Sequence, residues 1–208
     1  MKKIIFIGAG GHSRSVLDSL SPEYDLYGYI DDIKTGTFYG KPIIGKKIEE
    51  VENYREYFYF ITIGDNIYRK KWFDILQKMH LEPINIIDSS SYISPTAKIG
   101  VGNFIGKSVI INASSEIGNN NIINSKALIE HECMVGNHVH LSTNSTINGN
   151  VRVGNGVFLG SGAICIGQLS VGENSTIGAG AVVIGDIPAG VTAVGVPARI
   201  IKQNGKKI

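Results

Sequence analysis

An aliphatic side chain recurs at every sixth residue between Ile93 and Val183, with no break in phase. The faces of an α-helix repeat after about 3.6 residues and those of a β-strand after about two, so neither element explains this spacing. A six-residue period is typical of a β-helix, in which each hexad forms one flat side of a coil. Three hexads complete a triangular coil, so the sequence predicts about five coils. The register consists of Ile93, Ile99, Ile105, Ile111, Ile117, Ile123, Ile129, Val135, Leu141, Ile147, Val153, Leu159, Cys165, Val171, Ile177 and Val183.

Two further hexad positions are restricted. The fifth is mostly small or β-branched, as at Ala127, and such residues fit the interior of a narrow prism. The second is rich in Gly and Asn, as at Gly118 and Gly136, and we expect these residues to supply the unusual dihedral angles of the turns. Cys133 and Cys165 occupy apolar hexad positions, which predicts buried free thiols in a reducing cytoplasm.

Residues 1–88 follow a different pattern, in which short apolar runs alternate with segments of helical spacing. The first run, Lys3–Ile7, is rich in β-branched residues and ends in the turn Gly8–Gly11, as expected of a buried parallel strand. Alternation of strand, turn and helix predicts a small Rossmann-like sheet, with ligands bound beyond the carboxyl ends of its strands. The other predicted strands are Leu26–Ile30 and Tyr57–Ile63, and the predicted helices are Ser13–Leu20 and Tyr68–Met79.

The predicted fold class is therefore α/β plus β, with a Rossmann-like domain over residues 1–88 and a parallel β-helix of hexapeptide repeats over residues 89–208. The net charge of +2 and the 18% of charged residues give no concentrated basic face, so we expect no nucleic-acid partner. Met1–Gly11 is apolar, but it is too short for a membrane span and lacks a cleavage-site pattern. This predicts a cytoplasmic protein with no membrane insertion.

Five short segments follow one another in this order: Gly8–His12, Asp31–Asp32, Asn124, His131–Glu132 and His140. Their order resembles that of one bacterial family. Residues 1–202 as a whole are similar to the sugar O/N-acyltransferases of the NeuD/PglD group, which carry a left-handed β-helix. The resemblance implies acetyl-CoA-dependent transfer of acetyl directly to the amine of a nucleotide-activated amino sugar of the UDP-4-amino-sugar type, in surface polysaccharide or glycan biosynthesis. O-acetylation of sialic acid or another sugar is the alternative within the family.

The resemblance assigns the chemistry to one hexad. His131 is implied to be the general base that takes a proton from the attacking amine, a role that suits an imidazole titrating near neutrality. Glu132 is implied to orient the ring, with Glu130 as the weaker candidate. Asn124 either polarises the acetyl carbonyl as an oxyanion donor or is another turn asparagine.

The resemblance also implies that acetyl-CoA lies in a groove between two prisms of a homotrimer, and that no metal is needed. It places His140 near the thioester. A coil of about eighteen residues stacks Gly149 under His131, where a glycine permits close approach of the pantetheine arm. Arg199 is a candidate partner for a CoA phosphate. The predicted cofactor-binding set is His140, Gly149, Ser161 and Ala179.

The turn Gly8–Ser13 carries only the first two glycines of the dinucleotide fingerprint, because Ser13 stands at the third position. An NAD-binding interpretation is therefore weak, and residues 1–88 have too few strands for a full dinucleotide fold. The resemblance instead implies that the turn binds the pyrophosphate of a sugar nucleotide through backbone amides. For Asp31–Asp32, a strand-ending turn is the alternative to substrate binding. The implied substrate-binding set is Gly10, Gly11, His12, Asp31, Asp32, Gly64 and Asn124.

Two other classes of function are compatible with the residues. A zinc enzyme of the carbonic-anhydrase type would use His131, His138 and His140 together with a water molecule. A non-catalytic sugar-binding scaffold would need no base at all. Under the acyltransferase interpretation, His138 is a surface residue, and valines such as Val151 and Val157 are candidates for a subunit interface.

Overall fold

The computed structural model describes residues 1–203 and 205–207. Its amino-terminal part is a five-stranded sheet with one helix on each side. Neither helix of this described region is long and apolar enough to cross a membrane. The elements in chain order are β1 (Lys2–Ile7), α1 (Gly11–Asp18), β2 (Tyr24–Ile30), β3 (Thr37–Phe38), β4 (Lys41–Gly45), β5 (Phe58–Ile61) and α2 (Asn66–Lys78), with 3₁₀ turns at Ile48–Glu50 and Tyr54–Glu56.

The central strand β1 is buried on both faces. Ile5 and Ile7 pack on the side of α2, whereas Ile4 and Phe6 pack on the side of α1. Burial on both faces selects a continuous apolar run, which is why this strand was recognisable in the sequence. Four strands are parallel in the order β4-β2-β1-β5, and β3 pairs antiparallel with β4 at one edge. The hairpin β3–β4 was not predicted, because its residues show no clear apolar alternation.

From Ile86 onward, each hexad contributes a two-residue strand that pairs in parallel with the strand of the next coil. The strands stack into three sheets, which form the three faces of a triangular β-helix. The predicted fold class is thereby confirmed. A short antiparallel extension closes the carboxyl-terminal end.

We name the faces by what lies on their outer side. The docking face, which carries the amino-terminal domain, consists of β6 (Ile86–Ile87), β9 (Phe104–Ile105), β12 (Ile122–Ile123), β15 (His140–Leu141), β18 (Phe158–Leu159), β21 (Thr176–Ile177), β23 (Val191–Val194), β24 (Arg199–Gln203) and β25 (Lys206–Lys207). The apolar face consists of β7 (Tyr92–Ile93), β10 (Ile110–Ile111), β13 (Leu128–Ile129), β16 (Thr146–Ile147), β19 (Ile164–Cys165) and β22 (Val182–Val183). The charged face consists of β8 (Lys98–Ile99), β11 (Glu116–Ile117), β14 (Met134–Val135), β17 (Arg152–Val153) and β20 (Ser170–Val171).

Three corners connect these faces, and each is named here by one of its residues. The Asn124 corner joins the docking face to the apolar face. The His131 corner joins the apolar face to the charged face, and the His138 corner joins the charged face to the docking face. The chain meets the corners in this order once per coil.

The first and fifth hexad positions fill the interior of the β-helix, as the sequence pattern predicts. Val151 and Val157 belong to this core and are fully buried, so the expectation that they form a subunit interface is wrong. Cys133 and Cys165 are buried and free, as predicted. Burial raises the pKa of both thiols, which keeps them protonated inside the prism.

The sequence pattern predicted that the second hexad position supplies the unusual dihedral angles of the turns. In the structure, the residue with a left-handed φ angle is instead at the fourth position. Glu132 and Asn150, for example, have φ angles of 58° and 61°. The second-position glycines serve close packing between coils instead. A Cβ on Gly160 would lie 2.5 Å from the backbone nitrogen of Ala179, so only glycine lets the next coil approach this closely.

The amino-terminal domain rests on the docking face, and Arg69 in the first turns of α2 holds the two together. Its side chain is fully buried and donates six hydrogen bonds of 2.8–3.2 Å to uncharged oxygens. Burial of a cation among neutral acceptors lowers the pKa of Arg69 to about 9. The acceptors are the backbone carbonyls of Ile63, Gly64, Asn120, His138 and Val139 and the side-chain oxygen of Asn66.

Candidate active site

His131 and Glu132 lie side by side at an outward corner of the β-helix, with side chains 55% and 58% exposed. Nδ1 of His131 and Oε2 of Glu132 are 3.1 Å apart, so Glu132 rather than Glu130 faces the ring. The same Oε2 atom accepts a hydrogen bond of 3.2 Å from Nδ2 of Asn150. The corner thus connects an imidazole, a carboxylate and an amide through one carboxylate oxygen.

The contact with Glu132 determines which nitrogen of His131 can act as a base. An ionised carboxylate only accepts hydrogen bonds, so the neutral ring must carry its proton on Nδ1. Nε2 then holds the lone pair. A Cβ on Gly149 would lie 2.6 Å from Nε2 and from Cε1, so Gly149 is beneath the ring, as the coil length predicts. The role of Gly149 toward acetyl-CoA stays a prediction.

A cleft of about 200 Å³ opens at the carboxyl ends of β1, β2 and β5. Such a cleft beside the N-terminus of α1 suits an anionic ligand, because the first backbone N–H groups of a helix have no partner within the helix. Sequence reasoning missed Tyr68 and Trp72 of α2, which also line the cleft and which the helical pattern marked only as one face of a helix. The predicted substrate-binding residues that line it are Gly10, Gly11, His12, Asp31, Asp32 and Gly64.

The two aspartates of the cleft have different surroundings. Burial raises the pKa of the Asp31 carboxyl, but hydrogen bonds from the backbone N–H groups of Ala9, Lys34 and Ile33 outweigh it and bring the pKa below its ordinary value. Asp31 therefore stabilises the loop that follows β2, which agrees with the strand-ending turn. Asp32 accepts a hydrogen bond from the hydroxyl of Tyr68 at the cleft wall.

Two histidines lie between the amino-terminal domain and the docking face. His12 packs edge-on against Phe104, with ring centroids 5.1 Å apart. His140 packs edge-on against Phe158, and its Nδ1 donates to the backbone carbonyl of Gly64 at 3.3 Å. The Nε2 atoms of both histidines are buried and have no hydrogen-bond partner among the described residues. His140 therefore lies with the predicted substrate set and apart from Gly149.

A third histidine corrects an expectation. His138 is not a solvated surface residue, because its ring packs against Phe73 of α2 with centroids 5.4 Å apart. Its Nδ1 accepts a hydrogen bond of 2.8 Å from the side-chain amide of Asn120. The carbonyl of His138 is one of the acceptors of Arg69. The residue belongs to the contact between the two parts of the chain, which no local pattern could reveal.

These three partly buried histidines predict that the fold loses stability in mild acid. Burial, reinforced by Arg69, lowers the pKa from 6.5 to about 3 for His12 and about 4 for His138 and His140. Below pH 6.5 the unfolded chain therefore binds protons that the folded chain does not, so the free energy of unfolding should fall between about pH 6.5 and pH 4. His12 and His140 each contribute a slope of up to about 1.4 kcal/mol per pH unit, and the more exposed His138 contributes less.

Urea unfolding at a series of pH values measures this slope. Replacing His140 with asparagine should make it shallower, whereas replacing the exposed His80 should leave it unchanged. An unfolding midpoint that stays constant between pH 7 and pH 4.5 would contradict the prediction.

The Asn124 corner carries the remaining predicted residues. Oδ1 of Asn124 accepts a hydrogen bond of 2.8 Å from the backbone N–H of Ser125. This contact lies within the turn and does not involve the amide nitrogen of Asn124. Ser161 lies two coils further along the same corner, where its hydroxyl is 2.9 Å from those of Ser142 and Thr143. Ala179 follows Ser161 one coil later. Arg199 is exposed on β24.

The candidate base and the cleft lie on different sides of one chain. The cleft belongs to the domain on the docking face, which is bounded by the Asn124 corner and the His138 corner. The His131 corner is the one that does not touch this face. A single chain therefore does not bring His131 and the cleft residues together.

No group of three His, Cys, Asp or Glu side chains in residues 1–203 and 205–207 is placed to hold a metal ion. His131 and His138 occupy different corners, and His140 lies on the docking face. The three histidines considered for a zinc site therefore do not converge within one chain.

Comparison with known proteins agrees with this architecture. Residues 3–76 match the PglD N-terminal domain. A histidine-to-asparagine variant of perosamine N-acetyltransferase from Caulobacter crescentus, solved with CoA and GDP-perosamine, is 33% identical, with 98% of each chain covered and a TM-score of 0.91. The acetyltransferase domain of PglB from Neisseria gonorrhoeae, solved with acetyl coenzyme A, is 30% identical, covers 96% of this chain and 98% of its own, and has a TM-score of 0.90.

A curated relative, the uncharacterized protein L142 of Acanthamoeba polyphaga mimivirus, is 42% identical over 106 residues. The match covers 50% of this chain, and the chain spans only 21% of the length of that relative. Because this relative is uncharacterized, the match shows sequence similarity but indicates no activity.

The Rossmann-like domain docked on a hexapeptide β-helix, together with these solved relatives, defines an acyltransferase of the hexapeptide class. Within that class, the chain belongs to the left-handed β-helix family of nucleotide-sugar N-acetyltransferases with a PglD-type amino-terminal domain. The family predicted from the sequence is thereby confirmed.

Proposed function

We propose that this protein transfers the acetyl group of acetyl-CoA to the amine of a nucleotide-linked amino sugar. The observation that carries the proposal is the His131–Glu132 pair, in which the carboxylate occupies Nδ1 and leaves Nε2 as the basic atom. The cleft of residues 1–88, with its helix N-terminus, suits the pyrophosphate of the nucleotide. The relatives solved with CoA and GDP-perosamine support the same pairing of substrates.

The proposed reaction is direct. The amine nitrogen attacks the thioester carbonyl carbon, its proton passes to Nε2 of His131, and the carbon–sulfur bond breaks to release CoA, whose thiolate recovers the proton. Glu132 stabilises the imidazolium that forms in between. Asn124 is the proposed donor to the developing oxyanion. Cys133 and Cys165 are buried inside the prism, so neither is placed to form an acyl-enzyme.

The surface beside His131 fits an extended acyl carrier. Gly149, Gly167 and Gly185 follow one another at the same hexad position of the His131 corner, and together they leave a strip without side chains. A Cβ on Gly167 would lie 3.0 Å from the carbonyl oxygen of Gly149, so the strip is also close-packed. We assign this strip to the pantetheine arm and Ser161 and Ala179 to the facing side of the acetyl-CoA groove. His140 is the proposed link between this groove and the cleft.

We further propose a homotrimer with its active sites between subunits. The outward row of the apolar face consists of Tyr92, Ile110, Leu128, Thr146, Ile164 and Val182. Tyr92 is 58% exposed and Ile110 41%, an apolar surface that a monomer would leave in water. The apolar face is bounded by the His131 corner and the Asn124 corner, so burying it against another copy brings a second chain to both.

Subunit mixing tests this arrangement. His131→Asn removes the base, and Gly10→Phe fills the cleft, where the Cβ of residue 10 meets no atom within 4 Å. Each variant alone should be inactive, but variants co-expressed in equal amounts should recover about a quarter of the wild-type activity, because about three quarters of the trimers are mixed and each mixed trimer has one intact site out of three. A mixture as inactive as its parents would show that base and cleft act within one chain.

The acceptor is tested by release of the CoA thiol with UDP- and GDP-linked 4-amino sugars. Activity with at least one of these amines, and none with the corresponding 4-hydroxy sugars, is the expected result. Thiol release only with sialic acid or another hydroxyl acceptor would instead establish an O-acetyltransferase. We propose that the reaction takes place in the cytoplasm and serves surface polysaccharide or glycan biosynthesis, with residues 1–88 holding the sugar nucleotide and residues 89–208 the acyl donor.

A further inference from the structure

The register of the β-helix places the dipeptide Gly149–Asn150 directly beneath His131–Glu132. Glu132 and Asn150 are both fourth-position residues of the same corner, with left-handed φ angles of 58° and 61°. The backbone N–H of Asn150 donates to the carbonyl oxygen of His131 at 3.0 Å. The relative position of the two dipeptides is therefore determined by main-chain hydrogen bonding between coils.

The side chain of Asn150 contacts the atom that contacts the base. Its Nδ2 donates to Oε2 of Glu132 at 3.2 Å, and this is the oxygen that lies 3.1 Å from Nδ1 of His131. Glu132 is 58% exposed, and an exposed glutamate otherwise samples several rotamers. A donor from the next coil selects the rotamer that faces the imidazole.

Gly149 complements this contact from below the ring. A Cβ at this position would lie 2.6 Å from both Nε2 and Cε1 of His131, closer than unbonded carbon atoms approach. Gly149 is not among the glycines with a left-handed φ, so the backbone alone does not require glycine here. The imidazole is what leaves no room for a side chain.

Building on the proposed role of His131 as the base, we propose that Asn150 and Gly149 are positioning residues for this histidine. Asn150 acts through Glu132, which it holds against Nδ1, and Gly149 gives the ring its space. Together they keep the Nδ1–H tautomer and direct Nε2 toward the acceptor amine. Neither residue needs to contact a substrate for this effect.

The kinetic test uses matched variants. Asn150→Gly keeps a residue that tolerates the left-handed backbone and removes only the amide, and it should lower kcat about tenfold with little change in KM, the usual effect of losing an outer hydrogen bond to a catalytic ligand. Asn144→Gly is the control, because Asn144 has a φ of 57° and the same backbone hydrogen bond but lies at the Asn124 corner. In a Glu132→Gln background, Asn150→Gly should add almost nothing.

Gly149→Ala should also lower kcat, because the new methyl group displaces the ring. In a His131→Asn background, Gly149→Ala should add almost nothing, since no imidazole is left for the methyl group to displace. Wild-type kcat in both Gly149→Ala and Asn150→Gly, or an undiminished effect of Asn150→Gly in the Glu132→Gln background, would overturn the proposal.

A second readout needs no substrate. Nitrogen-15 spectra of labelled histidine distinguish the two neutral tautomers, and the His131→Asn variant assigns the His131 signals. The Nδ1–H form should dominate in the wild type and in Asn144→Gly and lose population in Asn150→Gly. An unchanged tautomer ratio in Asn150→Gly would refute the positioning role even if the enzyme is active. Full activity of His131→Asn would instead reject His131 as the base. The tautomer ratio would then still test whether Asn150 positions the ring of His131.

Discussion

Replacing His131 with asparagine is expected to lower kcat by about two orders of magnitude or more, with KM for acetyl-CoA nearly unchanged. The reason is that a general base contributes about 10²–10⁴ to a rate and the amide of asparagine has no basic atom to replace Nε2. The measurement is release of the CoA thiol with the best amine acceptor over a range of pH. Loss of the pH-dependent limb of kcat should accompany the loss of rate.

His80→Asn is the matched control, because His80 is exposed and lies beyond the carboxyl end of α2, whereas the cleft is lined by residues near the amino end of that helix. It should keep wild-type kcat. If His131→Asn retained more than half of the wild-type kcat with an amine acceptor, His131 would not be the general base. If neither protein released the CoA thiol with any acceptor, the result would favour a scaffold or sugar-binding function.

The second large effect concerns Arg69. Arg69→Met should lower the free energy of unfolding by about 3 kcal/mol or more, because it leaves buried carbonyl oxygens without donors. Three of the lost hydrogen bonds join Arg69 of the amino-terminal domain to carbonyl groups of the β-helix, so the amino-terminal domain should also detach more readily from the docking face. The single tryptophan, Trp72, lies on α2 close to this contact, and its fluorescence during urea unfolding reports the change.

Two variants give this test its reference points. Arg55→Met removes an exposed arginine of the same domain and should leave the unfolding midpoint unchanged. Arg69→Lys keeps the charge but cannot reproduce the planar fork of donors, so its stability should fall between those of the wild type and Arg69→Met. Arg69→Met and Arg55→Met unfolding at the same urea concentration would show that the hydrogen bonds of Arg69 do not hold the two domains together.

The β-helix was predictable because its repeat is local. Each hexad presents its first and fifth residues to the interior, and a strict period reports this regardless of what surrounds the prism. The left-handed position was not predictable from composition, because the fourth position accepts residues as different as Glu132, His138 and Asn150. Main-chain hydrogen bonds between coils impose that conformation, and the side chain is left free for other uses.

The cleft was partly predictable for a related reason. Parallel strands place their carboxyl ends along one edge of a sheet, so the segments after β1, β2 and β5 had to meet. Tyr68 and Trp72 were missed because a helical pattern shows which residues share a face but not what that face covers. His138 was misjudged because its burial depends on Phe73, distant in sequence and on another element.

The sequence by itself determined the coil, its length and hence the stacking of Gly149–Asn150 under His131–Glu132, because a period is a property of neighbours along the chain. Only the tertiary structure decided which face the amino-terminal domain covers. That choice depends on contacts such as those of Arg69 with carbonyl groups 51 to 70 residues away, which no period encodes. It is also what separates the cleft from the base within one chain and makes a neighbouring copy part of the proposed active site.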